Sequence, residues 1–291
     1  MLTRRRFLTL LGWAGLGLTG TGGLAFSASY QFEVSRHRRV LSGLERPLRV
    51  VQLSDLHYGP WMHAASVRAW VQAANALNPD LIVITGDLID SGLRLDRLKG
   101  LYRAITPDFE QLSAALGMLR APLGVYAIWG NHDNGQPAVK RYLSQQLPKH
   151  GVTVLVNQGL WARDDLYLSG VDDFWAEEAN PSVSLKGYRK GKASLALVHN
   201  PDFWEYYQGL PVDLVLSGHT HGGQVYLPGI GAPWTPSKYK QRYLAGWYEK
   251  GPGPGRAPVW GYVSRGLGTS VLPLRLNAPA ELALFEFTPE A

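Results

Sequence analysis

The chain has 291 residues, 45% hydrophobic and 18% charged with 33 Gly and 19 Pro; this excludes disorder or coiled coil as the dominant state and suits one large, turn-rich α/β domain. The absence of Cys removes disulfides, thiolate metal sites, iron–sulfur clusters and thiol nucleophiles together, so any metal must sit on His, Asp, Glu or Asn. Half of the net charge of +6 comes from Arg4, Arg5 and Arg6, which leaves the body of the chain too weakly basic for a polyanion, and no specific nucleic acid partner is expected.

At the N-terminus, Thr3-Arg4-Arg5-Arg6-Phe7-Leu8 precedes an uncharged run from Leu10 to Phe26 that is broken by Gly12, Gly15, Gly17, Gly20, Gly22 and Gly23. Residues 1–29 resemble a twin-arginine export signal, with small residues Ala25 and Ser27 at one candidate cleavage point. The run also approaches the ~20 residues that span a bilayer, so an uncleaved membrane anchor stays open. Either reading implies the twin-arginine export machinery as a partner and a periplasmic, cell-wall or membrane-associated location. Residues 30–47, with Arg36, His37, Arg38 and Arg39, read as a basic and irregular stretch, a first strand plus connector leading into a domain at 48–291.

That domain starts with Leu48 to Leu53, rich in strand formers and ending at Ser54-Asp55. Val67, Trp70, Val71, Ala74 and Leu77 then recur at helical spacing over Ala64 to Leu77, and Asn78-Pro79 stops the helix. Leu81 to Ile84 is a wholly apolar strand, as expected where both faces are covered. The same signal returns at Gly124 to Trp129, Val152 to Val156, Leu166 to Val171, Leu195 to Val198, Leu214 to Leu216, Val259 to Val263 and Leu282 to Phe287. Strands alternating with helices and then following one another quickly predict a layered α/β sandwich of two sheets.

Polar residues cluster just beyond these strands, where open α/β sheets place their sites. Asp55 and His57 follow the first, Gly86-Asp87 and Asp90 the second, and Gly130-Asn131-His132-Asp133 the third; His199-Asn200 and Gly218-His219-Thr220-His221-Gly222-Gly223-Gln224 come later. Singly, each admits a bland explanation: turn chemistry for Asp87, a helix N-cap for Asn131-His132-Asp133, structural histidines for His219 and His221. Together they resemble the calcineurin-like metallophosphoesterase family, whose motifs D-x-H, G-D-x-x-D, G-N-H-[DE], a lone H and G-H-x-H all occur here in order, from about Leu48 to Phe287. The runs Leu53 to His57, Gly218 to Gln224 and Ser264-Arg265-Gly266-Leu267-Gly268 are most similar to its YaeI/YkuE-like phosphodiesterase subgroup.

The resemblance implies a four-layered α/β/β/α sandwich and a metal-dependent phosphoric ester hydrolase with two divalent ions. Two cations ~3.5–4 Å apart need a bridging anion, and by resemblance that is Asp87. Asp55, His57 and His221 would complete one metal site and Asn131, His199 and His219 the other. Ligands two residues apart, as in Asp55/His57 and His219/His221, would share a side if the segment is extended. The mixed nitrogen and oxygen donors suit Mn, Fe or Zn. A hydroxide bridging the metals would attack phosphorus, with His132 beside the leaving group as general acid or transition-state stabiliser and Asp90 orienting it. The implied substrate is a phosphoester, with lipid-linked molecules such as UDP-diacylglucosamine suggested by the subgroup. A nuclease and a non-catalytic envelope binding module are the competing readings.

Three further features carry less. Asp172 and Asp173 beside Phe174-Trp175 read as a turn that can line the cleft, and Gly251 to Pro258 as a loop without chemistry. Within Ser91 to Leu112, residues Leu98, Leu101, Tyr102 and Ile105 follow helical spacing among Arg94, Arg97, Lys99 and Arg103. That pattern fits an amphipathic helix acting as a lid or lying on a membrane surface, or one packing on the body of the domain.

Overall fold

The computed structural model describes residues 30–91, 108–176, 178–250 and 259–290. The residues read as an export signal, the helical pattern through Leu98 and Ile105 and the stretch Gly251 to Pro258 lie outside the described residues. No helix among the described residues is long and apolar enough to cross a membrane.

Two six-stranded sheets form the fold. The first takes strands β1 (Phe32–Val40), β2 (Leu48–Leu53), β3 (Leu81–Thr85), β4 (Val125–Ile128) and β5 (Val152–Val154), and recovers β12 (Ala280–Thr288) from the chain's end. The second is built from β6 (Gln158–Arg163), β7 (Leu166–Gly170), β8 (Ala193–Leu197), β9 (Leu214–Ser217), β10 (Gly246–Lys250) and β11 (Val259–Val263). Their spatial orders are β1-β12-β2-β3-β4-β5 and β10-β11-β9-β8-β7-β6. Strands β2 to β5 run parallel, as do β7, β8, β9 and β11, while β12 is antiparallel to β2, β6 to β7 and β10 to β11. Both sheets are therefore mixed.

Period-two alternation divides each strand between two cores. Val50, Leu81, Val83 and Phe285 face Leu168, Leu195, Leu197 and Leu216 in a cluster shared by both sheets. The opposite faces of the first sheet, through Val51, Leu53, Ile82 and Ile84, pack on helices α1 (Ala64–Ala76), α2 (Phe109–Leu116) and, after the single turn α3 (Asn131–Asn134), α4 (Pro137–Gln146). Val67, Trp70, Val71 and Ala74 are the buried stripe of α1, as their spacing predicts. The Asp108 side chain accepts from the Glu110 and Gln111 amides and so caps α2. On the outer face of the second sheet, Ala196, Val198, Val215 and Val263 meet Phe203, Trp204 and Tyr207. The expected outer α layer is thin there: the 3-10 helix Pro201–Tyr207 and the one-turn helix α5 (Pro181–Ser184) stand in for long helices.

The first strand expected within residues 30–47 is present as the nine-residue β1, which is regular and paired in parallel with β12 along its whole length. Its charged side chains tolerate that position because β1 is an edge strand and its burial alternates. Strands β6 and β10 and helix α4 were not legible: β6 interleaves Gly159, Trp161 and Arg163 without clean alternation, and α4 buries only Leu143.

Candidate metal centre

The parallel strands of both sheets end at one edge, and each terminal loop delivers its polar residues there. Asp55 follows β2, Asp87 and Asp90 follow β3, and Asn131 and His132 follow β4; His199 follows β8, and His219 and His221 follow β9. Three sets are close enough to share an ion, with one donor atom from each member lying within 4.8 Å of the others: Asp55/His57/His221, Asp87/His199/His219 and His57/Asp90/His132. All nine candidate residues from the sequence thus lie in one cluster, Asn131 entering through its Oδ1, 3.1 Å from His199 Nε2.

One detail of the expected geometry is wrong. Asp55, His57, His219 and His221 are not in extended segments; their φ values are +53°, +46°, +72° and +55°, and Asp87 stands at +51°. Left-handed backbone is costly for residues with a Cβ, and it persists here because the loops are bonded to one another. Asp55 N donates to Gly86 O at 3.0 Å, His57 N to Asp87 O at 3.0 Å and Tyr58 N to Leu88 O at 2.9 Å. Gly218 and Gly130 permit the close approach: a Cβ on Gly218 would overlap Asp55 Oδ2, and one on Gly130 would overlap Asp87 Oδ1.

Both central carboxylates are fixed from behind. Asp55 accepts from the His219 amide at 2.9 Å and from Ser54 Oγ at 2.6 Å. Ser54 in turn accepts from Thr85 Oγ1 at 2.7 Å, and Gln52 Nε2 donates to Thr85 Oγ1 at 2.8 Å. Asp87 Oδ1 accepts from the His132 amide at 2.8 Å. Its Oδ2 lies 3.2 Å from His199 Nε2 and 3.6 Å from His57 Nε2, so a single carboxylate oxygen faces both three-residue clusters. His199 Nδ1 is 2.8 Å from Thr85 O, which places the ring proton on Nδ1 in the neutral ring and turns the Nε2 lone pair inward.

Asp55 and Asp87 are buried, and among the described residues neither has a Lys or Arg partner within 4.0 Å. The compensating charge must then come from histidine. Burial would raise Asp87, but His199, His132 and His57 outweigh it and hold the carboxyl well below its usual range. Burial would equally lower His199, yet the Asp87 carboxylate pushes it up to about 10. His219 and His221 go the other way, well below the ordinary imidazole value, through burial and then through their histidine neighbours. Two observations fit divalent cations in this place. His219 Nε2 is buried without a hydrogen-bond partner, and His57 Nε2 and His221 Nε2 face one another at 3.0 Å. Such nitrogen lone pairs, converging with carboxylates in a buried site, are a metal donor set.

His132 sits at the rim, with 15% of its side chain exposed. Its Nδ1 lies 3.3 Å from Asp90 Oδ1 and accepts from the Ser91 amide at 3.0 Å, while Nε2 points to Ser270 Oγ at 3.4 Å. Asp133 accepts from the Gly130 and Ile89 amides at 2.8 and 3.1 Å and so ties the third motif to the second. Burial and the nearby Asp87 carboxylate push its carboxyl up to about 7. Asp172 receives the Asp173 amide at 2.8 Å and pairs with Lys140 at 3.4 Å, which is turn chemistry.

Several supporting residues had no individual role assigned from the sequence. Gln224 accepts from the Ser270 amide at 2.6 Å and donates to Leu272 O and Leu274 O, anchoring the loop that brings Ser270 to His132. The Leu267 and Gly268 amides donate to Ser54 O and Asp55 O at 2.9 and 2.7 Å. Arg275 Nη2 donates to Gly266 O and Gly268 O and stands 3.5 Å from His221 Nδ1. The Gly218 to Gln224 and Ser264 to Gly268 runs hinted at this second tier, and Ser270 and Arg275 had no such hint.

With this geometry in place, comparison with known proteins is decisive for the family. Residues 48–223 match the model of the calcineurin-like phosphoesterase family. The chain belongs to that family. It is 31% identical over 291 residues to the phosphodiesterase YaeI of Escherichia coli K12, covering 98% of this chain and 99% of that one. It is 32% identical over 296 residues to the uncharacterized metallophosphoesterase YkuE of Bacillus subtilis 168, covering 98% and 97%. A third relative, the UDP-2,3-diacylglucosamine pyrophosphatase LpxG of Chlamydia trachomatis, is 29% identical over 227 residues, covering 62% of this chain and 65% of that one. Membership makes the chain a metal-dependent phosphoric ester hydrolase of α/β fold.

Proposed function

We propose that the chain is a binuclear phosphodiesterase in which Asp87 would be a ligand shared by two divalent ions. The observation that carries this is the single Asp87 Oδ2 facing both the His57 and the His199 side of the cluster. Asp55, His57 and His221 would hold one ion, and Asn131, His199 and His219 the other. Bound there, the ions would polarise a phosphoryl oxygen and lower the pKa of water to make a nucleophile. The remaining work falls to the protein. His132 stands at the rim as general acid or transition-state stabiliser for the leaving oxygen, its ring fixed at Nδ1 by the Ser91 amide at 3.0 Å and lying 3.3 Å from Asp90. The buried chain Gln52, Thr85, Ser54 keeps Asp55 from rotating.

Phosphodiesters are the favoured substrates because YaeI, matched over nearly its full length, carries that activity in its name. The LpxG match supports a lipid-linked phosphoester in the cell envelope. The nuclease reading is weaker, since half of the net charge lies in the first six residues. Residues 1–29 serve as the twin-arginine address, cleaved or kept as a membrane anchor, ahead of residues 30–47, whose β1 joins the first sheet of the catalytic domain. Replacing Arg5 and Arg6 by Lys should trap the protein in the cytoplasm, and unchanged fractionation refutes that address.

The catalytic reading is tested by chelation. Turnover of an aryl phosphodiester should vanish with EDTA and return with Mn, Fe or Zn, and full activity in metal-free protein overturns the proposal. Asp87→Ala should lose the metals by elemental analysis. His132→Ala should keep them and lose about 10²–10⁴-fold in kcat, the usual range for a general acid.

A further inference from the structure

Immediately beyond the metal cluster the surface turns aromatic. Phe174, Trp175, Ala179, Pro181, Phe203 and Tyr206 line a cleft of about 580 Å³. Trp175 and Tyr206 are 50% and 56% exposed, unusual for rings of that size. The cleft is joined to the site by direct contact: the Trp175 and His219 rings meet at 88° with centroids 4.7 Å apart. It is also joined through the chain. Phe203 and Tyr206 lie on the 3-10 helix that starts two residues after His199, and Phe174 and Trp175 open another just after β7.

We propose that this cleft is the subsite for a hydrocarbon substituent of the phosphoester, an alkyl or acyl chain whose phosphate sits at the metal cluster. The assignment rests on the phosphohydrolase reading and adds to it where the non-reacting part of the substrate goes. The choice of hydrocarbon over a planar base follows from the lining. Phe174, Phe203 and Tyr206 pack against one another, with centroid separations of 5.2, 4.7 and 5.7 Å, so they form a continuous apolar floor with no slot between parallel rings. Among the described residues, the six lining side chains offer the Trp175 indole N–H and the Tyr206 hydroxyl as their polar atoms, beside backbone groups. A nucleobase needs several donors and acceptors along its edge, whereas a chain of methylenes needs none. Burying the chain on that floor supplies binding energy remote from the reacting atoms.

The test uses manganese-loaded full-length protein and calorimetric binding of inorganic phosphate, phenyl phosphate and alkyl phosphates from ethyl to octyl. Affinity should rise about three- to fourfold per methylene over the first several carbons, the transfer value of a buried CH₂. Tyr206→Ser should weaken octyl phosphate at least about tenfold and leave inorganic phosphate unchanged, while Tyr206→Phe keeps the full rise. Affinity independent of chain length in the wild type, or an equal slope in Tyr206→Ser, overturns the subsite. A phenyl group gaining as much as hexyl overturns the choice of hydrocarbon. Turnover of methyl p-nitrophenyl phosphate is followed in parallel in the wild type. Its absence in every metal-loaded form removes the phosphodiesterase reading, while chain-dependent binding judges the subsite by itself.

Discussion

A guanidinium taken out of water needs acceptors for its N–H groups, and Arg275, only 1% exposed, finds carbonyls for Nη1 and Nη2, while Nε has no partner among the described residues. Nη1 donates to Ala278 O at 2.9 Å, and Nη2 to Arg265 O, Gly266 O and Gly268 O at 2.9, 3.0 and 2.6 Å. Burial pushes its pKa down to about 10, with Asp55 opposing. The segment it gathers is the one whose Leu267 and Gly268 amides bond Ser54 O and Asp55 O. Arg275 thus positions Asp55 through backbone. Arg275→Met should lower stability by about 3 kcal/mol, because four carbonyls lose their donor in a dry place. Arg275→Lys keeps the charge but not the fork, and should show a smaller loss together with weakened metal retention. Urea denaturation and metal titration measure the two effects, and wild-type metal affinity in both variants removes the positioning role.

At the scale of elements, the β8–β9 pair carries a half-buried acid that opposes its own ionisation. Asp213, just before β9, accepts from the Ser194 amide at 2.7 Å. Burial pushes its carboxyl up to about 6, although the Ser194 bonds pull the other way. A carboxyl whose folded pKa lies above its unfolded value binds protons more tightly when folded. Its stabilising contribution is therefore complete below the unfolded pKa, about 4, and is lost as pH rises through about 6. Asp213→Asn keeps an acceptor for Ser194 N and removes the titration. The variant should gain on the order of 1–3 kcal/mol over the wild type at about pH 7 and nothing at about pH 4, measured by denaturant unfolding. A constant difference across that range contradicts the assignment. Elsewhere, the elements legible from the chain were those with an unmixed signal, such as the apolar β3 and the 3.6-residue stripe of α1. Strand β6 and helix α4 escaped because the residues they bury are few and irregularly spaced.

For the molecule as a whole, the interior shared by the two sheets and the site at their edge are separable. Leu168 lies fully buried in the inter-sheet cluster, whereas the loops that carry the candidate site follow the strand ends. Leu168→Ala should cost about 3 kcal/mol, or roughly 6–12 °C in Tm for a chain of this size, through the cavity it leaves. The kcat of the folded fraction at 25 °C should change by less than about twofold, since the substitution is remote from the loops. A large fall in kcat without loss of stability indicates that sheet packing sets the geometry of the ligands.

The sequence by itself determined the family, the fold class and the membership of the candidate site, because each polar motif sits directly after a strand and strand ends are where such a fold collects its loops. Short-range pattern carries that much: an apolar run, then Gly and a charged residue, states both the element and its terminus. What pattern cannot carry is convergence. That Asp87 Oδ2 faces two clusters depends on the chain leaving the first sheet after β5, building the second, and returning with β12. The same return brings Arg275 beside His221 and Ser270 beside His132, partners 54 and 138 residues apart. The left-handed backbone of Asp55, His57 and His221 is likewise a tertiary result, since neither residue type demands it. It exists because loops from different strands bond one another more strongly than each relaxes alone, and so the tertiary structure alone decided the direction of every ligand.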